Sequence, residues 1–188
     1  MVVLGVDPGS RATGYGVLSF GEGGYDILSC GVIRLKASDA LPERIYGVCS
    51  GLEQIIRLYR PERLAIETAF LSHNVRSALV LGQVRGAVIA LAMKQKLDLH
   101  EYAPSEVKRA VTGIGSASKK QVAGMLARLL NISGQPKPFD VSDALGIAFC
   151  DLLRNTAGNG AAAPLRKGRT GTKKGWNAFL AAHPELVV

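Results

Sequence analysis

Leu4-Gly5-Val6-Asp7-Pro8-Gly9-Ser10-Arg11-Ala12-Thr13-Gly14-Tyr15-Gly16 is the stretch that decides how this chain is read. The apolar run Val2-Val3-Leu4, continued past Gly5 by Val6, predicts a buried strand over about 2–7 with Asp7 at its end. Pro8-Gly9 turns the backbone, and Thr13-Gly14-Tyr15-Gly16 starts a second strand, about 14–20, running back beside the first. Asp-Pro-Gly by itself is usually only a turn. Asp7 gains meaning from partners elsewhere in the chain.

Working outward, Gly21-Glu22-Gly23-Gly24 leads into a third strand over about 25–35, so the first three strands read as antiparallel neighbours. A helix over about 42–59 shows Ile45, Val48, Cys49, Leu52, Ile55, Ile56 and Tyr59 at helical spacing, with Pro42 in its first turn and Pro61 beyond its end. Leu64-Ala65-Ile66 forms a short fourth strand ending in Glu67. A long helix over about 73–96 carries Ala78, Gly82, Gly86 and Ala90 four apart, a stripe where the protein's own sheet or a second copy of the chain can approach closely. Leu99 to Ala103 is a fifth strand. Pro104 opens a short helix that Gly113-Ile114-Gly115 ends, and Ser118 with Gln121 has capping-box spacing for the next, to about Asn131. Ser133 to Pro138 breaks the chain before a last helix from about Phe139 to Arg154.

This order predicts an α/β fold: a mixed five-stranded sheet, three antiparallel strands followed by parallel strands, flanked by helices. Residues 1–154 read as one domain. From Asn155 the chain turns Gly/Ala-rich and linker-like, then basic, giving a tail over 155–188 in which Trp176 to Leu180 reads as a short docking turn.

Composition narrows the chemistry. No apolar run approaches the length needed to span a bilayer, and Asp7 and Arg11 interrupt any signal peptide, so the expected location is cytoplasmic. Cys30, Cys49 and Cys150 are odd in number and lack a CxxC pair, and His73, His100 and His183 lack metal-ligand spacing. Zinc is therefore disfavoured, and any metal should be a hard cation held by oxygen. The net charge of +8 points to a polyanionic partner, and half of it lies in the tail, where Arg166, Lys167, Arg169, Lys173 and Lys174 stand against Glu185.

Asp7 ends the first strand and Glu67 the fourth. If those strands are parallel neighbours, both carboxylates emerge at one edge of the sheet, where open α/β sheets bind ligands. Asp140 and Asp143 are three apart and share a face of the last helix. Taken singly, Asp140 is a helix cap, Glu67 a solvated strand end and Asp143 a surface charge. Brought together, four carboxylates stay ionised only with cations between them. Oxygen donors of this kind suit Mg²⁺ or Mn²⁺, and two such ions about 4 Å apart activate a water and stabilise the leaving oxygen in phosphodiester displacement. Neither a Ser nor a His nucleophile is required.

Five ordered motifs carry a resemblance: Val6-Asp7-Pro8-Gly9-Ser10-Arg11-Ala12-Thr13-Gly14-Tyr15-Gly16, Ala65-Ile66-Glu67-Thr68-Ala69-Phe70, the helix from Ser77 to Ala87, Val111 to Val122, and Phe139 to Ala148. Together they resemble the RuvC-type Holliday junction resolvases, crossover junction endodeoxyribonucleases, collinearly over about residues 1–153. The resemblance implies a ribonuclease H-like fold and a homodimer. It also implies Mg²⁺-dependent paired nicking of four-way DNA junctions, in strands of like polarity, during recombination and repair. It makes Asp7, Glu67, Asp140 and Asp143 the catalytic and metal-holding acids, with two Mg²⁺ per site and Mn²⁺ as a substitute. Some members have His at the position of Asp140. By position Phe70 is the aromatic that stacks on bases at the junction centre, and Lys108 and Lys119 are the functional lysines. Lys120 and Arg76 are further expected phosphate contacts. A branch-migration complex of RuvA and RuvB type proteins is the implied partner. A two-fold junction is matched by an isologous dimer with two active sites.

Other readings compete. A ribonuclease H-like nuclease acting on RNA shares the fold, but Gly113 to Lys120 argues against it. A sugar-kinase or actin-type ATPase needs a second domain for which 188 residues leave no room. A non-catalytic junction-binding protein would have no use for a complete set of carboxylates. Gly113-Ile114-Gly115-Ser116 is not a P-loop, because no Gly-Lys-Ser/Thr follows it.

Overall fold

The computed structural model describes residues 1–9, 11–36, 38–68, 75–132 and 138–157. Phe70, the break at 133–137 and the tail from residue 158, with its Trp176 to Leu180 turn, lie outside the described residues.

Strands β1 (Val2–Asp7), β2 (Ala12–Gly21) and β3 (Gly24–Arg34) form an antiparallel meander. Helix α1 (Leu41–Tyr59) leads to β4 (Arg63–Glu67), and α2 (Val75–Lys94) leads to β5 (Asp98–Tyr102). β4 lies parallel to β1 and β5 parallel to β4, giving one sheet ordered β3-β2-β1-β4-β5. Helices α3 (Pro104–Thr112), α4 (Lys119–Leu129) and α5 (Phe139–Ala157) complete the chain. This is the mixed sheet that the element order predicts.

The period of two in β1 divides the core. Leu4 and Val6 face one side, where Val17, Leu52, Ile55, Val84 and Val88 join them under α1 and α2. Val3 faces the other, with Leu18, Val107, Val111, Leu126 and Leu145 under α3, α4 and α5. Gly5 lies on this second face because α5 crosses there: a Cβ on Gly5 would stand 2.2 Å from the carbonyl oxygen of Ala144. A Cβ on Gly14 would stand 2.1 Å from the carbonyl oxygen of Asp140. Bare backbone at these two positions lets α5 settle directly on β1 and β2.

Local signals act as their chemistry dictates. Glu43 accepts the Ala40 N–H at 3.0 Å ahead of α1, and Arg60 ends that helix in the left-handed region, with φ at 47°. Ser118 and Gln121 exchange hydrogen bonds of 2.8 and 3.3 Å, closing the capping box of α4. Gly113, with φ at 79°, ends α3.

Two expectations need correction, and one open alternative narrows. The last helix runs to Ala157 rather than Arg154: the side chains of Asn155 and Thr156, through Nδ2 and Oγ1, donate back one turn to the Asp151 and Leu152 carbonyls at 2.9 and 2.7 Å and anchor the final turn. α2 is also long and apolar enough, by length and composition, to cross a membrane, contrary to the reading that no run approaches that length. Its apolar surplus lies outside the core: Val84, Val88, Leu91 and Ala92 are buried, while Val75, Leu79 and Met93 are exposed. Of the two partners open to the small-residue stripe, the sheet is not the one at Gly82, Gly86 and Ala90. A Cβ on Gly82 or Gly86 would meet open space, and Ala90 is exposed.

Toward the C-terminal end of α5, fully buried Asp151 gathers a polar cluster. His100 Nδ1 lies against one carboxylate oxygen, the Tyr102 hydroxyl donates to it at 2.8 Å, and Asn155 donates at 3.2 Å. Arg63 sits 3.6 Å from the other oxygen. Burial and the Asp151 bond together hold the Tyr102 phenol well above its usual range. The cluster pins α5 to β4 and β5.

Candidate functional site

Asp7 is the last residue of β1 and lies opposite Gly14 of β2. The β1–β4 register pairs Val6 with Ile66, which brings Glu67 alongside Asp7 at the same sheet edge. Asp140 enters from the first turn of α5, whose backbone rests on Gly14, and Asp143 follows from the same helix. Two strand ends and one helix end thus bring the four acids into one electrostatic neighbourhood.

The electrostatics report that neighbourhood. Burial first, then the charges of Asp143, Glu67 and Asp140, push the Asp7 carboxyl up to about 7, against a downward pull from Lys119. Glu67 is also raised, by burial and then by Asp143, while Lys119 and Lys108 draw it down. The protein gathers more negative charge than its own cations offset. Lys119 answers part of the excess: its Nζ donates to Asp143 Oδ2 at 2.6 Å, and that bond raises the lysine's own pKa, with burial opposing and Asp7 and Glu67 adding to the rise. Among the described residues, no three acidic, His or Cys side chains converge tightly enough to form a ligand cage by themselves. The donor set nevertheless fits a hard divalent cation: it is all oxygen, partly buried, and destabilised by its own charge.

The other predicted residues divide. Lys108, on α3, draws the Glu67 carboxyl down, and Lys119, its side chain 65% exposed, bonds Asp143 at the rim of the site. Lys120 is exposed in the first turn of α4, and Arg76 is exposed in the first turn of α2. Neither is among the charges that shift Asp7 or Glu67. Sequence reasoning gave no role to Arg85, which donates from Nε to the main-chain carbonyl of Glu67 at 3.3 Å. Its place within the Ser77 to Ala87 motif was the signal available.

Comparison with known proteins adds a second line. Residues 3–151 match the family model described as crossover junction endodeoxyribonuclease RuvC. A protein of that description from Chlorobaculum parvum is 57% identical over 187 residues, covering 100% of both chains. Among solved structures, Thermus thermophilus RuvC in complex with a Holliday junction substrate is 30% identical, with a TM-score of 0.79 over 84% of this chain and 96% of that one. The yeast mitochondrial Holliday junction resolvase, 15% identical with a TM-score of 0.58 over 84% of this chain and 83% of its own, shares the fold.

Proposed function

We infer how the site works from one premise: the chain belongs to the RuvC family of crossover junction endodeoxyribonucleases, and is a metal-dependent nuclease with a ribonuclease H-like fold. Its reaction is the resolution of Holliday junctions in DNA recombination and repair. The carboxylates that perform it are Asp7, Glu67, Asp140 and Asp143. One observation carries that assignment: Asp7 is held at about 7 by burial and by the other three acids. A site built this way is completed by divalent positive charge.

Two Mg²⁺ ions, with Mn²⁺ as a substitute, would supply Lewis acidity at the scissile phosphate and at the attacking water. The protein's own residues do the rest. Asp7 and Glu67, fixed at adjacent strand ends, would hold the ions together with Asp140 and Asp143 of α5. Lys119, mostly exposed where it bonds Asp143, offers its ammonium to the DNA backbone. Lys108, Lys120 and Arg76 extend the cationic track for phosphates, and Phe70 stacks on a base at the junction centre, a contact worth about 1–3 kcal/mol. The nuclease domain runs through α5 to Ala157, and the basic chain beyond it adds sequence-independent contact with DNA.

The protein acts as a homodimer, which sets two sites on opposed strands of like polarity. The exposed face of α2 supports this: Val75, Leu79, Gly82, Gly86, Ala90 and Met93 recur every three, four or seven residues along one stripe, with open space over both glycines. Proteins of the RuvA and RuvB type, which move junctions, are the expected partners. Free Cys30, Cys49 and Cys150 suit a cytoplasmic location.

The test is a synthetic four-way junction with the full-length protein. Mg²⁺ should give paired symmetric nicks, Ca²⁺ should give binding without cutting, and Glu67→Gln should bind but not cut. Binding without cleavage in both Mg²⁺ and Mn²⁺ would instead support the non-catalytic reading.

A further inference from the structure

Arg85 stands in the middle of α2 with its guanidinium at the end of β4. Its Nε donates to the Glu67 carbonyl at 3.3 Å, and its Nη2 pairs with the Glu101 carboxylate of β5. The side chain is only 21% exposed. The ladder explains why this carbonyl takes a side-chain donor. The β1–β4 register closes at Val6 with Ile66, one residue before Glu67, whereas the next N–H, that of Thr68, still reaches the Tyr102 carbonyl at 2.9 Å. Arg85 therefore supplies a hold on the last residue of β4 beyond the β1 ladder. A guanidinium suits the task because its donors form a rigid planar fork, here engaged on both sides.

The contact acts on position rather than on charge. The cations that draw the Glu67 carboxyl down are Lys119 and Lys108, not Arg85. We propose that Arg85, braced by Glu101, is a positioning residue: it fixes the Glu67 backbone so that the carboxylate meets the metal, and it ties that geometry to α2. The inference rests on the reading of Glu67 as a metal-holding carboxylate. It also means that one helix offers its outer face to a second copy and its inner face to the site.

The experiment compares full-length Arg85→Met, Arg85→Lys, Glu101→Gln and Glu67→Gln with the parent protein. The readouts are the Mg²⁺ concentration for half-maximal junction cutting, Mn²⁺ affinity without DNA by electron paramagnetic resonance, junction affinity in Ca²⁺, and sedimentation mass. Arg85→Met should raise the half-saturating Mg²⁺ and weaken Mn²⁺ binding by about tenfold, as loss of an outer partner of a metal ligand does. Junction affinity and mass should stay within about twofold. Arg85→Lys should recover part of the loss, and Glu101→Gln should fall between. An Arg85→Met protein that melts lower or loses its dimer while keeping parental metal dependence has only a structural role, and the proposal falls. Parental metal dependence in Arg85→Met beside a dead Glu67→Gln overturns the positioning role alone. A Glu67→Gln protein that cuts normally overturns the site reading itself.

Discussion

Replacing Asp7 by Asn should stabilise the metal-free protein and do so increasingly as pH rises. The folded Asp7 carboxyl titrates at about 7, against 3.8 for an unperturbed group. Between those values the folded chain keeps a proton that the unfolded chain has released, so its stability falls as pH climbs through the window and levels off above about 7. From pH 5 to the folded pKa is about two units, each worth about 1.4 kcal/mol, so the parent loses roughly 2.7 kcal/mol over that span through this one group. Asparagine has the same shape and no charge, and escapes the loss. For a chain of this size each kcal/mol moves the melting temperature by about 2–4 °C. In EDTA, the melting temperature of Asp7→Asn relative to the parent should therefore rise by about 5–10 °C between pH 5 and pH 8.5, as read by scanning calorimetry. Mg²⁺ should then stabilise the parent more than the variant, because the ion binds the folded parent preferentially. A difference that does not change with pH, or a variant less stable than the parent at pH 8.5, would refute the picture of an Asp7 carboxylate disfavoured by burial and by its acidic neighbours.

Two further predictions follow from the same geometry. Gly14→Ala places a methyl group 2.1 Å from the Asp140 carbonyl oxygen, so α5 must lift from β2; the expected cost is about 1–3 kcal/mol of stability in urea titration, with cutting lost well before folding, and a fully active variant would show that α5 does not set the acids. Lys119→Met removes the bond to Asp143, and the log–log salt slope of junction binding should flatten by about one ion; a parental slope would mean that the lysine stays on Asp143 when DNA arrives.

The sheet could be read from the sequence because its signals are local. Val2 to Val6 is a nearly unbroken apolar run of strand length, Pro42 and Pro61 bracket α1, and Ser118 with Gln121 announces α4. The meeting of Asp7 with Glu67 could be inferred once β1 and β4 were taken as parallel neighbours. Contacts that depend on which way an element is rotated were hidden. Spacing gives α2 a small-residue stripe but not its direction, and the structure turns Gly82 and Gly86 outward. The Asp151 cluster draws on β4, β5 and α5 at once, so no window of sequence contains it. The Lys119 bond is hidden in the same way, because its partner Asp143 lies on another helix.

The order in which the site is assembled along the chain has a consequence for its synthesis. β1 and β4 emerge early from a ribosome, but α5, which brings Asp140 and Asp143, emerges after every other described element. A nascent or truncated chain without α5 has two acids at a sheet edge, no opposing pair, and bare Gly5 and Gly14 where the helix should rest. On the proposed assignment of the four acids, such a fragment should not cut. A junction nuclease assembled in this order would stay inactive until α5 is in place, and the same split offers a handle. A chain ending at α4, mixed with an α5 peptide, would switch DNA cutting on by complementation.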